Sequence, residues 1–131
     1  MKNPGASAGR VLVVEDEPSI SQVCLRTLGG EGFEVDIAEN GAKAQEKLEV
    51  GDYNICLIDI MTPVMDGKRL YRWIVEKHPK LVTGVIFTTG DSINPDTAGF
   101  LEQAGRPFLP KPFTLDELKT MVRETLSQAG K

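Results

Sequence analysis

The stretch Val11-Leu12-Val13-Val14-Glu15-Asp16-Glu17-Pro18 decides the fold. Four consecutive β-prone apolar residues read as a central parallel strand covered on both faces, because a half-exposed strand would alternate with polar residues. The run stops abruptly in acid. Pro18 then suits the first turn of a helix, and Ile20, Val23, Cys24 and Leu28 repeat at helical spacing until Gly29-Gly30 end it. Residues 11–30 therefore form one βα unit.

Outward from that unit the pattern repeats. Phe33, Val35 and Ile37 alternate with Glu34 and Asp36, which marks a half-exposed strand at a sheet edge. Asn40 caps a short helix carrying Ala44 and Leu48, and Gly51 follows its end. Tyr53 to Ile58 forms a third strand that runs into Asp59, and Thr62-Pro63-Val64-Met65-Asp66-Gly67 turns the chain into a helix with Leu70, Trp73 and Ile74 inside. A fourth strand is read over Val82 to Thr88, ending in Thr89-Gly90-Asp91. From Ser92 to Gly105, Ile93, Phe100 and Leu101 support a helix that Pro95 and Gly99 limit, so a short or mobile element is expected. Phe108-Leu109-Pro110 is a brief fifth strand. Thr114 with Glu117 makes a capping box for a last helix carrying Leu115, Leu118, Val122 and Leu126. Five strands alternating with five helical patterns give an α/β domain with a parallel sheet. Its expected span is 10–128, with 1–9 as a disordered leader or linker and 129–131 as a tail.

Composition bounds the function. The 131 residues are 40% apolar and 26% charged, with 15 Lys+Arg against 19 Asp+Glu and a net charge of −4. One soluble domain fits that length, and the mild acidity argues against direct nucleic-acid contact, which needs a basic surface. Cys24 and Cys56 lie in apolar segments with no second Cys or His at ligand spacing, so the chain reads as reduced and cytoplasmic. Neither a membrane-inserting run nor a signal peptide is encoded. Gly29-Gly30-Glu31-Gly32 follows a helix, whereas a phosphate-cradling loop follows a strand; it reads as a helix stop.

Ligands of open α/β sheets sit outside the carboxyl ends of the strands. Those ends here are Glu15-Asp16, Asp59, Thr89 and Lys111, the last just beyond the fifth strand. Three clustered carboxylates repel one another and call for a cation; an all-oxygen set with few protein ligands favours Mg²⁺ (or Mn²⁺). An aspartate beside such an ion can attack phosphorus, while Lys111 neutralises the phosphoryl oxygens and Thr89 donates to one of them. Plainer readings stand beside these. Glu15 and Asp16 also complement the dipole of the following helix, Asp59 can serve as a cap, Lys111 as a solvated lysine, and Phe108 and Trp73 as core. Thr88 is as able as Thr89 to face the site.

Taken together, VLVVEDEP, LIDIMTPVMDG, FTTGD and FLPKPF resemble the receiver (response-regulator) domains of two-component signalling over about residues 10–128. The resemblance implies a doubly wound, flavodoxin-like domain with strand order 2-1-3-4-5 and five helices. It implies Asp59 as phosphoacceptor, with Glu15, Asp16, Asp59 and the Met61 backbone carbonyl holding Mg²⁺. Thr89, favoured over Thr88 by the following Gly90, matches the switch hydroxyl, Lys111 the lysine that pairs with the phosphoryl group, and Phe108 the switch aromatic. The Lys111–Pro112 bond is expected to be cis, as in relatives. Two departures matter. Glu15 stands where relatives often carry Asp, and Phe108 where Tyr is common, so switching would rest on burial of the ring alone. The phosphoryl donor implied is a partner histidine kinase or phosphotransfer domain, since the lone His78 sits at a helix end before Pro79 and is not a credible donor. The readout would be a shift of the surface built by the fourth helix, fifth strand and fifth helix. A fused or separate output domain is implied, and the segment from Phe87 to Phe113 is similar to receivers of hybrid histidine kinases.

Competing readings make separate expectations. A dehalogenase-type phosphatase needs a second Asp two residues after the nucleophile, where Met61 stands. A flavin binder would need a phosphate loop after the first strand, where acid stands. A phospho-independent receiver-like binding module would not need the complete set of site residues.

Overall fold

The computed structural model describes residues 8–90 and 94–129. Five strands, β1 (Gly9–Val14), β2 (Phe33–Ala38), β3 (Ile55–Asp59), β4 (Val85–Thr89) and β5 (Phe108–Pro110), alternate with α1 (Pro18–Gly30), α2 (Gly41–Val50), α3 (Gly67–Lys77), α4 (Pro95–Ala104) and α5 (Leu115–Ala129). All four strand pairs are parallel and the order is β2-β1-β3-β4-β5. The doubly wound sheet with β2 at its edge is as expected.

Side chains alternate between two cores, as the pleat requires. Leu12, Val14, Cys56, Ile58, Val85 and Phe87 pack on α2 and α3 through Ala44, Leu48, Leu70 and Ile74. Val11, Val13, Ile55, Leu57, Ile86 and Leu109 pack on α1 and α5 through Cys24, Leu28, Leu118 and Val122. Both cysteines are free and buried, and burial pushes each thiol up to about 12, so they serve as small apolar residues.

The caps read from the sequence form. Asn40 accepts from Lys43 N at 2.9 Å, and Thr114 and Glu117 exchange bonds at 2.8 and 3.0 Å. Four boundaries differ. Residues 79–84 make a 3₁₀ helix, so β4 starts at Val85 rather than Val82; Pro79 sets the first turn of that helix. β3 likewise starts at Ile55 rather than Tyr53. β1 starts at Gly9, within the expected leader, because Gly9 is in register with Phe33 of β2. Finally, α4 is a regular ten-residue helix: Pro95 occupies its first turn, where no backbone N–H is needed, and Asn94 caps it by accepting from Thr97 N at 2.8 Å. Ser92 and Ile93 lie outside the described residues. His78, at the end of α3, is half-buried with its ring 4.9 Å from that of Trp73.

At the amino end of the sheet Asp36 of the edge strand accepts from Tyr53 Oη at 2.6 Å and pairs with Arg10 at 3.2 Å, while the Arg10 guanidinium lies 4.6 Å from the Tyr53 ring centre. Nearby, Gly84 lets the end of the 3₁₀ helix cross the start of β3: a Cβ there would collide with the Asn54 carbonyl oxygen and lie 3.1 Å from its carbon. Backbone cannot rotate away as a side chain can. Gly84→Ala is therefore expected to lose about 1–3 kcal/mol of stability, read as a lowered urea midpoint; an unchanged midpoint would mean that the crossing is slack.

Candidate functional site: a polar rung at the carboxyl edge of the sheet

Each strand on the α1/α5 side continues its alternation past the apolar core into a polar residue. Val13 is followed two residues later by Glu15, Leu57 by Asp59, Ile86 by Thr88 and Leu109 by Lys111. Register makes neighbours of them. Val14 is level with Ile58, and Asp59 with Thr88, so Glu15, Asp59 and Thr88 occupy one rung across β1, β3 and β4. Lys111 reaches this rung from just beyond β5, where its backbone N–H donates to the Thr89 carbonyl at 3.1 Å. The Lys111–Pro112 bond is cis.

The Lys111 ammonium lies 2.6 Å from Glu15 Oε1 and 2.9 Å from Asp59 Oδ2, with Glu17 Oε1 at 3.9 Å. Glu15, Asp59 and Lys111 side chains are 2%, 6% and 8% exposed, so these charges act on one another with little solvent screening. Asp59 Oδ1 accepts from Met61 N at 3.0 Å, and Glu15 Oε2 from Glu17 N at 3.2 Å. Asp16 is exposed at the mouth, yet one oxygen from each of Glu15, Asp16 and Asp59 falls within 4.8 Å of the others. Such a set of hard oxygen donors with one open side fits a small divalent cation that keeps part of its water.

Burial pushes the Glu15 carboxyl up to about 7, with the charge of Asp59 adding to the effect and Lys111 opposing it. For Lys111, burial alone would lower the ammonium; the contacts with Glu15 and Asp59 outweigh it and hold the group above its ordinary value, hence protonated. Because Glu15 binds its proton more tightly folded than unfolded, its stabilising contribution is complete below about 4.5 and is lost as pH rises through about 7. The melting temperature in chelator is accordingly expected to fall between pH 5 and pH 8. Added Mg²⁺ is expected to raise it more at pH 8 than at pH 5, since cation and proton compete for the same carboxylates. A chelated melting temperature that rises across this window would contradict the assignment.

The loop after β3 is set by close approach. Gly67 opens α3 against the sheet: a Cβ there would meet Ile58 Cγ2 and Ile60 Cα at 2.8 Å, and its N–H donates to the Ile60 carbonyl at 2.9 Å. Asp66 caps the helix by accepting from Arg69 N at 2.9 Å. Met61 is 57% exposed beside Asp59. Thr89 is buried, and the alternation directs it to the α3 side, with Phe87 two residues before it. Phe108, half-buried, is level with Phe87 on that same face.

Two neighbours of the site went unread in the sequence. Glu17 reads in the sequence as part of the acidic stop alone. Thr88 reads as a rival to Thr89, while its two-residue spacing from Ile86 carries its direction. The Thr88 hydroxyl is buried and has no hydrogen-bond partner among the described residues.

The sequence matches the response regulator receiver domain family over residues 11–123. It is 34% identical to the transcriptional regulatory protein TcrA of Mycobacterium tuberculosis, over 98% of this chain and 52% of that protein. The chain spans about half the length of the first curated relatives it matches. Among solved structures, a CheY-like receiver domain protein of Methanospirillum hungatei superimposes with a TM-score of 0.86 at 28% identity, covering 95% of this chain and 98% of the other. The response regulator TrrA of Thermotoga maritima, solved in complex with Mg²⁺-BeF, gives 0.77 at 33% identity over 88% and 97%. By its sequence, its strand order and its acidic edge, the chain belongs to the response regulator receiver domain family.

Proposed function

We propose that this receiver domain is a phosphoryl-accepting switch in which Asp59 takes a phosphoryl group from a partner histidine kinase or phosphotransfer domain. The observation that carries the reading is the contact of one buried ammonium, Lys111, with both Glu15 and Asp59, in a cluster whose third carboxylate is Asp16. Glu15, Asp16, Asp59 and the Met61 carbonyl would hold Mg²⁺ (or Mn²⁺), which when bound supplies positive charge to the phosphoryl oxygens. Lys111 turns from Asp59 toward the arriving group and adds a second positive charge there. Thr89 and Phe108 carry the change outward: a move of the hydroxyl toward the phosphoryl group frees space on the face that Phe87 and Phe108 share. The readout is a population shift of the α4–β5–α5 surface. α4 is the element suited to move, for only Thr97 in it is buried.

In this role the domain does not turn over an external substrate; its chemistry is limited to gaining and slowly losing the Asp59 phosphoryl group. A cytoplasmic site of action, next to a fused or separate output domain, follows from the same reading. No helix among the described residues is long and apolar enough to cross a membrane. The test is incubation with acetyl phosphate and Mg²⁺ followed by intact-mass measurement. One added phosphoryl group that maps to Asp59 and is lost in chelator-treated samples is the expected result; an unchanged mass would defeat the proposal.

A further inference from the structure

On the rung formed by Glu15, Asp59 and Thr88, the two carboxylates share Lys111 and the hydroxyl has no partner among the described residues. Thr88 is 2% exposed, so no bulk water reaches it. Its backbone carbonyl accepts from Ile60 N at 2.9 Å. The other buried residues of β4 before it, Val85, Ile86 and Phe87, carry no polar side-chain atom. A hydroxyl left alone in such a place costs stability that an isosteric methyl would not. It is level with Asp59 on the adjacent strand, where neighbouring strands lie about 4.8 Å apart.

We infer that Thr88 is a positioning residue of the acceptor site, whose hydroxyl is unpaired while Asp59 is free and becomes hydrogen-bonded when Asp59 is loaded. This rests on the phosphoacceptor reading of Asp59. In the free state Asp59 Oδ1 is engaged by Met61 N and Oδ2 by Lys111 Nζ. Loading from acetyl phosphate forms a bond from one Asp59 oxygen to phosphorus and breaks the phosphorus–oxygen bond to acetate, which leaves with the electron pair; no proton or electron is exchanged. The negative charge then resides on the phosphoryl oxygens rather than on the Asp59 carboxyl group, and Lys111 follows it. The Asp59 group thereby gives up the Lys111 donor it has in the free state, and Thr88 supplies an O–H on the same rung. The pairing exists in one state only, so it shifts the equilibrium toward that state by its full differential value. Thr89, one residue on, faces the opposite side of the sheet, and its proposed move is toward the phosphoryl oxygens rather than along this rung.

The experiment compares wild type, Thr88→Val and Thr88→Ser. Each is measured for melting temperature in chelator and for affinity for Mg²⁺ with beryllofluoride, an equilibrium mimic of loading, by calorimetry. Thr88→Val should melt at or above the wild-type temperature, because a methyl replaces an unpaired hydroxyl. Its beryllofluoride dissociation constant should rise about tenfold, the weight of one hydrogen bond made only in the loaded state. Thr88→Ser should restore the wild-type constant. Equal constants in wild type and Thr88→Val would overturn the inference, as would a lower melting temperature of Thr88→Val, which would mean that the hydroxyl is already paired in the free state. Wild type run in parallel with acetyl phosphate separates the two levels: if it gains no phosphoryl mass, the acceptor reading itself fails, whereas normal loading with unchanged Thr88→Val affinity removes only the role of Thr88.

Discussion

Asp59→Asn is expected to abolish phosphoryl uptake from acetyl phosphate while leaving the domain folded and, in chelator at pH 8, no less stable than wild type. The carboxamide has no anionic oxygen to attack phosphorus, so the loss is complete rather than partial. Stability follows from the charges. In the free protein the Asp59 carboxylate is one of three in the cluster and raises Glu15 by repulsion. Replacing it with an amide relieves that repulsion, and Lys111 keeps its 2.6 Å contact with Glu15. The fall in melting temperature from pH 5 to pH 8 should therefore become shallower in the variant. Intact mass and thermal melts in the same buffers read both effects. Phosphoryl mass that persists in Asp59→Asn would place the acceptor elsewhere, and a collapse of stability would mean that the pair with Lys111 outweighs the repulsion.

Phe87→Ala should produce the largest loss of stability, about 3–5 kcal/mol. Phe87 is wholly buried, and its ring packs edge-on against Tyr71 of α3 at 5.2 Å and against Phe100 of α4 at 5.3 Å, while those two meet at 5.8 Å. Truncation opens a cavity between three elements and removes two edge-to-face contacts. The consequence is uneven. α3 retains Leu70 and Ile74 in the core, whereas α4 has lost the ring against which its half-buried Phe100 is seated. Urea unfolding should show the lowered midpoint, and hydrogen exchange should show α4 amides losing protection before those of α3. A loss below about 1 kcal/mol would mean that the aromatic group re-packs around the gap. Even deprotection of α3 and α4 would mean that α4 is not the loosely held element.

Much of the fold was legible because its signals are local. An uninterrupted apolar run such as Val11–Val14 has to be covered on both faces, whichever helices cover it. The alternation of β2 placed it at an edge, and caps such as Asn40 and the Thr114–Glu117 box work through contacts three residues apart. Boundaries failed where one residue has two local meanings. Pro95 reads locally as a limit on α4 and is instead in its first turn, and Val82 reads as strand although Pro79 begins a 3₁₀ turn that includes it. Proline propensity depends on position within a helix, and position is set by what the flanking chain packs against.

From the residue order alone it follows that strands end in Glu15-Asp16, Asp59 and Lys111 and that these ends share one edge, because parallel strands joined by helices must all point the same way. Tertiary structure alone decided which side chains meet there. Register places Glu15, Asp59 and Thr88 on one rung, brings the Lys111 ammonium between the two carboxylates, and turns Thr89 to the other face with Phe87 and Phe108. A one-residue change of register would reverse each of those directions. Register is a property of paired strands distant in the chain, and only packing both faces of the sheet at once selects it.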